Sequence, residues 1–107
     1  MPEFDVAIYH NHDSRFSAYR EGHTLERVFE YADSGDDVDR VCNHAYHMFN
    51  APEEFLTTDE GLLAVAYRER GLRSLSVGDV VVVGETAWAC EPLGWKRVHL
   101  TAEQVTA

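Results

Sequence analysis

The feature that most constrains the fold of this chain is a pair of short apolar runs, Val80–Val83 and Thr86–Cys90, separated only by Gly84 and Glu85. Two such runs joined by a two-residue turn that contains glycine are typical of a β-hairpin. A further run, residues 95–100, opens after a glycine and carries its own apolar side chains. We therefore predict three consecutive antiparallel strands, a meander, in the last third of the chain.

The N-terminal part predicts one strand followed by a helix. Residues 3–10 alternate between two sets of side chains with the period of a half-buried strand. Thr24 is a good helix N-cap, and residues 25–32 place apolar side chains at helical spacing. We interpret 25–32 as the first helix and leave the segment between it and the strand unassigned.

Two more helices are predicted in the middle of the chain. Residues 38–49 form an apolar stripe at helical spacing after a cluster of aspartates. Thr57 and Glu60 have the spacing of a capping box, which indicates a third helix that ends near Arg70 with Gly71 as its C-cap. The caps at both ends favour a helix over a strand here.

The length and composition fit a single domain. The chain has 107 residues, of which 45% are hydrophobic, and this is enough to bury one core. We expect residues 1–107 to form one α+β domain with an N-terminal strand, about three helices and a C-terminal antiparallel three-stranded meander.

The net charge narrows the range of partners. It is −10, from 19 acidic and 9 basic residues. Such a charge repels phosphate backbones, so we expect no direct nucleic-acid binding. The acidity has two explanations, namely solubility or a surface that occupies the DNA-binding groove of another protein.

The sequence favours a cytoplasmic location without membrane contact. The apolar runs are too short to span a bilayer, and the N-terminal residues do not have the pattern of an export signal. In a reducing compartment Cys42 and Cys90 are expected to be two buried thiols, with a disulfide as the open alternative.

Residues 73–84 and the strands after them resemble the YodL-like domain family of bacterial chromosomes and mobile elements. The chain departs from the family pattern at Gly78, where Ser is frequent, and at residues 90–92. The resemblance covers the last third of the chain and implies a small non-enzymatic domain, often found beside anti-restriction modules. The matching residues are Ser74, Leu75, Ser76, Val77, Asp79, Val80, Val81, Gly94 and Trp95.

The polar residues before the hairpin have two interpretations. Their side chains can satisfy backbone amides in a rigid turn, or they can form a small surface that contacts a partner. Tryptophans are frequent anchors of protein interfaces, so those of the meander join this set. The candidate binding residues are Arg73, Ser74, Ser76, Asp79, Trp88 and Trp95.

Six histidines raise the alternative of a metal-dependent enzyme. His10 and His12 would share one face of a strand, and His44 and His47 one face of a helix. The cysteine spacing of a structural zinc site is missing, and the sequence does not bring the two histidine pairs together. We therefore assign no metal ligand and no cofactor.

No catalytic residue is assigned either. Cys42 and His44 are two positions apart and would face different ways on a helix. We predict a small acidic binding or regulatory module that acts through contact with a protein whose identity the sequence does not give. In an anti-defence version it mimics DNA with a face of carboxylates. Those residues are Glu30, Asp33, Asp36, Asp37, Asp39, Glu53, Glu54, Asp59 and Glu60.

Overall fold

The computed structural model describes residues 2–14 and 17–106. In this part of the chain the helices are α1 (Val38–Asn50) and α2 (Thr58–Glu69), with single 3-10 turns at Glu53–Phe55 and Ala102–Gln104. The strands are β1 (Glu3–Asn11), β2 (Leu25–Ser34), β3 (Val80–Val83), β4 (Thr86–Cys90), β5 (Trp95–Val98) and β6 (Val105–Thr106).

The strands form one sheet in the order β5-β4-β3-β1-β2-β6, which curves into a half-barrel. All neighbours are antiparallel except β2 and β6, which are parallel. The N-terminal strand lies in the centre, because β1 pairs with β2 on one side and with β3 on the other. Tyr9, His10 and Asn11 are all buried, as expected for a central strand.

The prediction of a helix at residues 25–32 is wrong, because these residues belong to β2. A β-bulge explains the error. Ile8 pairs with Phe29 but Tyr9 pairs with Arg27, so Val28 is an extra residue in β2. Val28 and Phe29 both pack in the same core cluster, which gives a strand the apolar spacing of a helix.

The predicted architecture of one N-terminal strand, about three helices and a C-terminal three-stranded meander is also wrong. Strands β3, β4 and β5 lie where the apolar runs and turns placed them, but β3 also pairs with β1, for example Val83 with Val6, so they are part of a larger sheet. The architecture is therefore one six-stranded mixed sheet with two helices in the described residues, instead of one strand, three helices and a meander. The alternation of side chains along a strand does not show which other strand it pairs with. In this sheet, strands that are distant in the chain pair with each other.

The sequence placed α1 and α2 correctly. Asp37 caps α1, where its side chain accepts a hydrogen bond from the Arg40 N–H. Thr57 and Glu60 form the predicted capping box of α2. Gly71 follows α2 with φ of 73°, a left-handed conformation that favours glycine after a helix.

Side chains on the two faces of the sheet form two clusters. The face that carries α1 and α2, here called the helical face, buries Val6, Ile8, Val81 and Val83 together with residues of both helices. The opposite side, here called the open face, gathers small and apolar side chains. Its cluster contains Tyr9, Tyr19, Leu25, Val80, Ala87, Ala89 and Val98, with Ala7, Val82, Leu100 and Val105 around it.

Candidate functional site

Asp79 is the centre of a hydrogen-bond network in the loop before β3. Its side chain is 1% exposed, and each carboxylate oxygen accepts two hydrogen bonds. The Arg73 guanidinium donates to both oxygens, at 2.6 and 2.8 Å. The backbone N–H of Ser76 donates at 2.8 Å and that of Asn11 at 2.9 Å. The network ties the loop to the end of β1.

A buried carboxylate is tolerated only when it is paired with a cation and hydrogen-bonded, and the Asp79 carboxylate meets both conditions. The hydrogen bonds to Asp79 raise the pKa of Arg73 further above its already high value. The side chains of Arg73 and Asp79, which the sequence marked as candidate binding residues, are thus engaged with each other and with the backbone. A further contact with a partner stays a prediction.

Asn11 is the member of this network that sequence reasoning missed. Its amide Nδ2 donates to the carbonyl oxygen of Gly78 at 3.0 Å. Its Oδ1 accepts from the backbone N–H groups of Asp13 and Ser14. The available signal was an asparagine at the end of an alternating run, where such side chains often form turns.

Glycine is required at position 78 for a geometric reason. Its φ is 98°, and a Cβ at this position would lie against the carbonyl oxygen of Ser17. Any other residue would be strained here and would clash. The loop before β3 therefore approaches residue 17 more closely than any side chain allows.

The two candidate serines differ in their surroundings. Ser74 is exposed, and its carbonyl oxygen accepts a hydrogen bond from Arg73. Ser76 is half-buried, and its backbone N–H is the group that bonds to Asp79. Ser74 thus remains accessible for contact with a partner, whereas the backbone of Ser76 contributes to the loop itself.

Both tryptophans are half-buried against the helical-face core. The indole N–H of Trp88 donates to the Thr86 hydroxyl at 2.8 Å. That of Trp95 donates to the Asn43 side-chain oxygen at 2.9 Å and so links β5 to α1. Each indole combines an apolar body in the core with a satisfied polar tip.

His10 lies in the buried network beside α2. Its Nε2 is 2.7 Å from the Tyr67 hydroxyl, which donates to the carbonyl oxygen of Arg73 at 2.5 Å. Burial, followed by the charge of Arg73, lowers the pKa of His10. Because the Tyr67 proton points to Arg73, the neutral imidazole donates from Nε2.

His44 lies between two carboxylates that come from different elements. Its Nδ1 is 2.6 Å from Asp33 of β2, and its Nε2 is 2.6 Å from Glu60 of α2. Burial alone would lower the pKa of His44, but the hydrogen bonds and charges of Asp33 and Glu60 raise it. Both ring nitrogens donate, so this imidazolium has no lone pair for a metal ion.

The predicted histidine pairs lie apart. Asp33, which binds His44, pairs with Phe4 near the start of β1, whereas His10 lies near its end. At roughly 3.3 Å per residue, six residues of strand put the two sites about 20 Å apart. In residues 2–14 and 17–106 no group of three His, Cys, Asp or Glu side chains could hold a metal ion.

Both cysteines are buried free thiols. Burial raises the pKa of Cys42 to about 12 and that of Cys90 to about 11. A thiolate is the nucleophilic form of cysteine, so these pKa values disfavour reactivity at neutral pH.

Two neighbouring clefts lie on the open face, with volumes of about 490 and 390 Å³. They share Tyr9 and Val82, and apolar and polar residues both line them. Arg27 and Glu30 form an exposed ion pair at 3.3 Å beside the first cleft. The charged groups at the rims are of both signs, so they do not favour one kind of ligand.

Helix α2 has apolar side chains on two opposite sides. Ala64 and Tyr67 are fully buried on its inner side. On the outer side Leu62 is 68% exposed and Val65 38% exposed, and Ala66 is exposed beside them. We call Leu62, Val65 and Ala66 the outer stripe of α2, since residues three and four apart share one face. The unbroken apolar run in the sequence of this helix is the signal that could have indicated the outer stripe.

Comparisons with protein-family models, curated proteins and solved structures found no match. None of the helices in the described residues combines the length and the apolar content that crossing a bilayer requires.

Proposed function

We propose that the protein is a binding or regulatory module that contacts a partner protein through the outer stripe of α2. One observation carries the proposal, namely the exposure of Leu62 and Val65 on a helix whose other side is already buried. A helix that is apolar all round is normally covered on all sides. A partner would supply the missing cover.

Burial of the outer stripe would contribute to the free energy of binding a partner. Complete burial of a leucine or valine side chain contributes about 1.5–3 kcal/mol. Asp59 and Glu69 are exposed and lie one turn before and after the stripe on the same face. An apolar centre with a polar rim is the usual composition of a protein interface.

The loop before β3 is the less favoured contact surface. The side chains of Arg73 and Asp79 already bind each other, and contact with a partner would compete with these bonds. Ser74 could still join an interface at its exposed position.

The DNA-mimic version needs carboxylates that share one face. Glu30 pairs with Ala7 and lies on the open face. Asp33 and Glu60 lie on the helical side, where both bind His44. The DNA-mimic version therefore stays a prediction, and our proposal is limited to protein contact.

The proposal is tested by comparative capture from an extract of the native host. Wild-type protein, a Leu62→Asp/Val65→Asp variant and a Leu93→Asp variant are immobilised in parallel. Leu93 is 94% exposed in the turn between β4 and β5, so it is a matched control for a charge introduced at an exposed leucine. Thermal unfolding establishes that each variant is folded.

We expect a protein that wild type and Leu93→Asp retain and that the double variant loses. With that protein purified, the double substitution should weaken its affinity at least about tenfold, as for an interface hot spot. A captured protein that binds the double variant as tightly as wild type would refute the role of the outer stripe.

A further inference from the structure

The edge strand β5 combines an unpaired backbone edge, within the described residues, with two exposed cations. It is the first strand in the order of the sheet, and within the described residues only β4 pairs with it. Its outward N–H and C=O groups are therefore a template for another strand. Lys96 and Arg97, in the middle of β5, are both exposed.

The two cations of β5 lie outside the ion pairs of the described residues. Arg27, Arg40, Arg68 and Arg73 each have a carboxylate partner, whereas Arg20 and Arg70 belong to none of those ion pairs. The ion pairs among residues 2–14 and 17–106 include neither Lys96 nor Arg97. In a chain with 19 acidic and 9 basic residues, β5 thus carries two adjacent, exposed cations at an edge of the sheet.

The register shows where the two cations point. Lys96 pairs with Ala89 of the open-face cluster, and Arg97 pairs with Trp88, which packs on the helical face. The two charges therefore project to opposite faces of the same strand. Trp95 and Val98 flank them, so β5 presents the order apolar, basic, basic, apolar.

We propose that β5 pairs with an extended segment of another protein in which two adjacent acidic residues are flanked by apolar ones. Opposite charges directly across two strands stabilise the pairing, whereas like charges destabilise it. An acidic pair would face Lys96 on one side of the sheet and Arg97 on the other. The segment would add a seventh strand, with main-chain hydrogen bonds for affinity and the charges for specificity.

The same charges argue against a second copy of this chain as the occupant. Two β5 strands side by side would bring Lys96 and Arg97 opposite cations. The net charge of −10 adds repulsion between copies. That net charge also opposes an acidic segment at long range, but at ~0.15 M salt the Debye length is ~8 Å, so contacts at the edge dominate.

The proposal does not depend on the outer stripe of α2, and a direct binding experiment tests it. The probes are a short synthetic peptide with the core Val-Glu-Glu-Val, its Val-Lys-Lys-Val counterpart, and the glutamate peptide N-methylated at alternate amides. The full chain is titrated with each at ~0.15 M salt, where the charge field is short-ranged, and its backbone amide NMR signals are followed.

We expect the glutamate peptide to bind at least about tenfold more tightly than the lysine peptide, because opposite charges then face each other. The shifted signals should lie in β5, and N-methylation should abolish binding because it removes the backbone donors. A Lys96→Glu/Arg97→Glu variant should reverse the preference. Both residues are exposed, and the single variant Lys96→Gln, which should weaken the glutamate peptide, serves if the double variant does not fold.

Four outcomes would overturn the proposal. They are absence of binding by the glutamate peptide, equal binding of the N-methylated peptide, shifts confined to another surface, and a concentration-dependent dimer of the wild-type chain that the Lys96→Glu/Arg97→Glu variant no longer forms.

Discussion

Arg73 holds Asp79 with two parallel hydrogen bonds of 2.6 and 2.8 Å, and the carboxylate they share is almost completely buried. Bidentate pairs of this kind are among the stronger side-chain interactions in proteins. Because Asp79 also accepts from the backbone of Asn11 and Ser76, it joins two segments that are distant in the sequence.

Replacement of Asp79 by Asn should therefore destabilise the protein by about 3–5 kcal/mol, the usual cost of breaking a buried pair. The free energy of unfolding in urea measures this. A second variant, Arg73→Met/Asp79→Leu, separates charge from scaffolding. It should not recover the lost stability, because the N–H groups of Asn11 and Ser76 would remain without an acceptor. Full recovery would show that the backbone bonds contribute little.

Tyr31, in contrast to Asp79, has a buried hydroxyl group that lacks a hydrogen-bond partner among the described residues. Tyr31→Phe should leave stability unchanged or raise it by up to about 1 kcal/mol, since the cost of burying that hydroxyl disappears. Tyr67→Phe is the matched control and should lower stability by about 1–2 kcal/mol, because the Tyr67 hydroxyl bonds to His10 and Arg73. Equal effects of the two changes in urea unfolding would contradict this account.

Gly78→Ala should be markedly destabilising, by at least about 2 kcal/mol, from backbone strain and the clash with Ser17 together. Gly22→Ala is the control. Gly22 also has a positive φ, of 87°, but a Cβ there would meet nothing within 4 Å. The thermal unfolding midpoint of Gly22→Ala should fall less than that of Gly78→Ala. The difference between the two midpoints measures the effect of the close approach of Gly78 to Ser17. A Gly78→Ala variant as stable as Gly22→Ala would refute that approach.

His44 should make stability depend on pH. Its pKa is raised from 6.5 in the folded state, so its stabilisation is complete below 6.5 and is lost as the pH rises through the raised value. The pKa of Glu60 is lowered from 4.5, first by the Thr57 N–H and then by His44, so its contribution disappears as the pH falls through that lowered value. The ion pairs at His44 are strongest between the two.

The urea midpoints of wild type and His44→Gln should therefore differ most between the lowered pKa of Glu60 and the raised pKa of His44, and converge as the pH rises beyond the latter. His47→Gln, an exposed change on the same helix, should alter the midpoint little both within and above this range. A difference between wild type and His44→Gln that does not vary with pH would mean that His44 acts only through packing.

The sequence predicted those elements that are determined by residues close together in the chain, namely both helices and the hairpin of β3 and β4. The capping box of Thr57 and Glu60 and the apolar stripe of α1 gave both helices nearly to the residue. The turn at Gly84 gave the hairpin of β3 and β4. The position of β1 between β2 and β3 was not predictable in this way, because its partners are set by packing across the whole chain.

The candidate site shows the same limit. Asp79 and Arg73 were identified as one polar group, but their bond to Asn11 needs a contact between residues far apart in sequence. The outer stripe of α2 was not identified, because the caps indicated a helix but not which of its sides would be exposed. A single helix cannot indicate which of its two apolar sides the rest of the chain will cover.

The central place of β1 has a consequence for the order of events in folding. Strand β1 is synthesised before its two partners and can pair with β2 early, but its other edge waits for β3, as in the pair of Val6 with Val83. Non-local pairings of this kind slow folding and leave strand edges exposed meanwhile. During synthesis β1 would therefore carry an open, apolar edge until the residues of β3 have emerged.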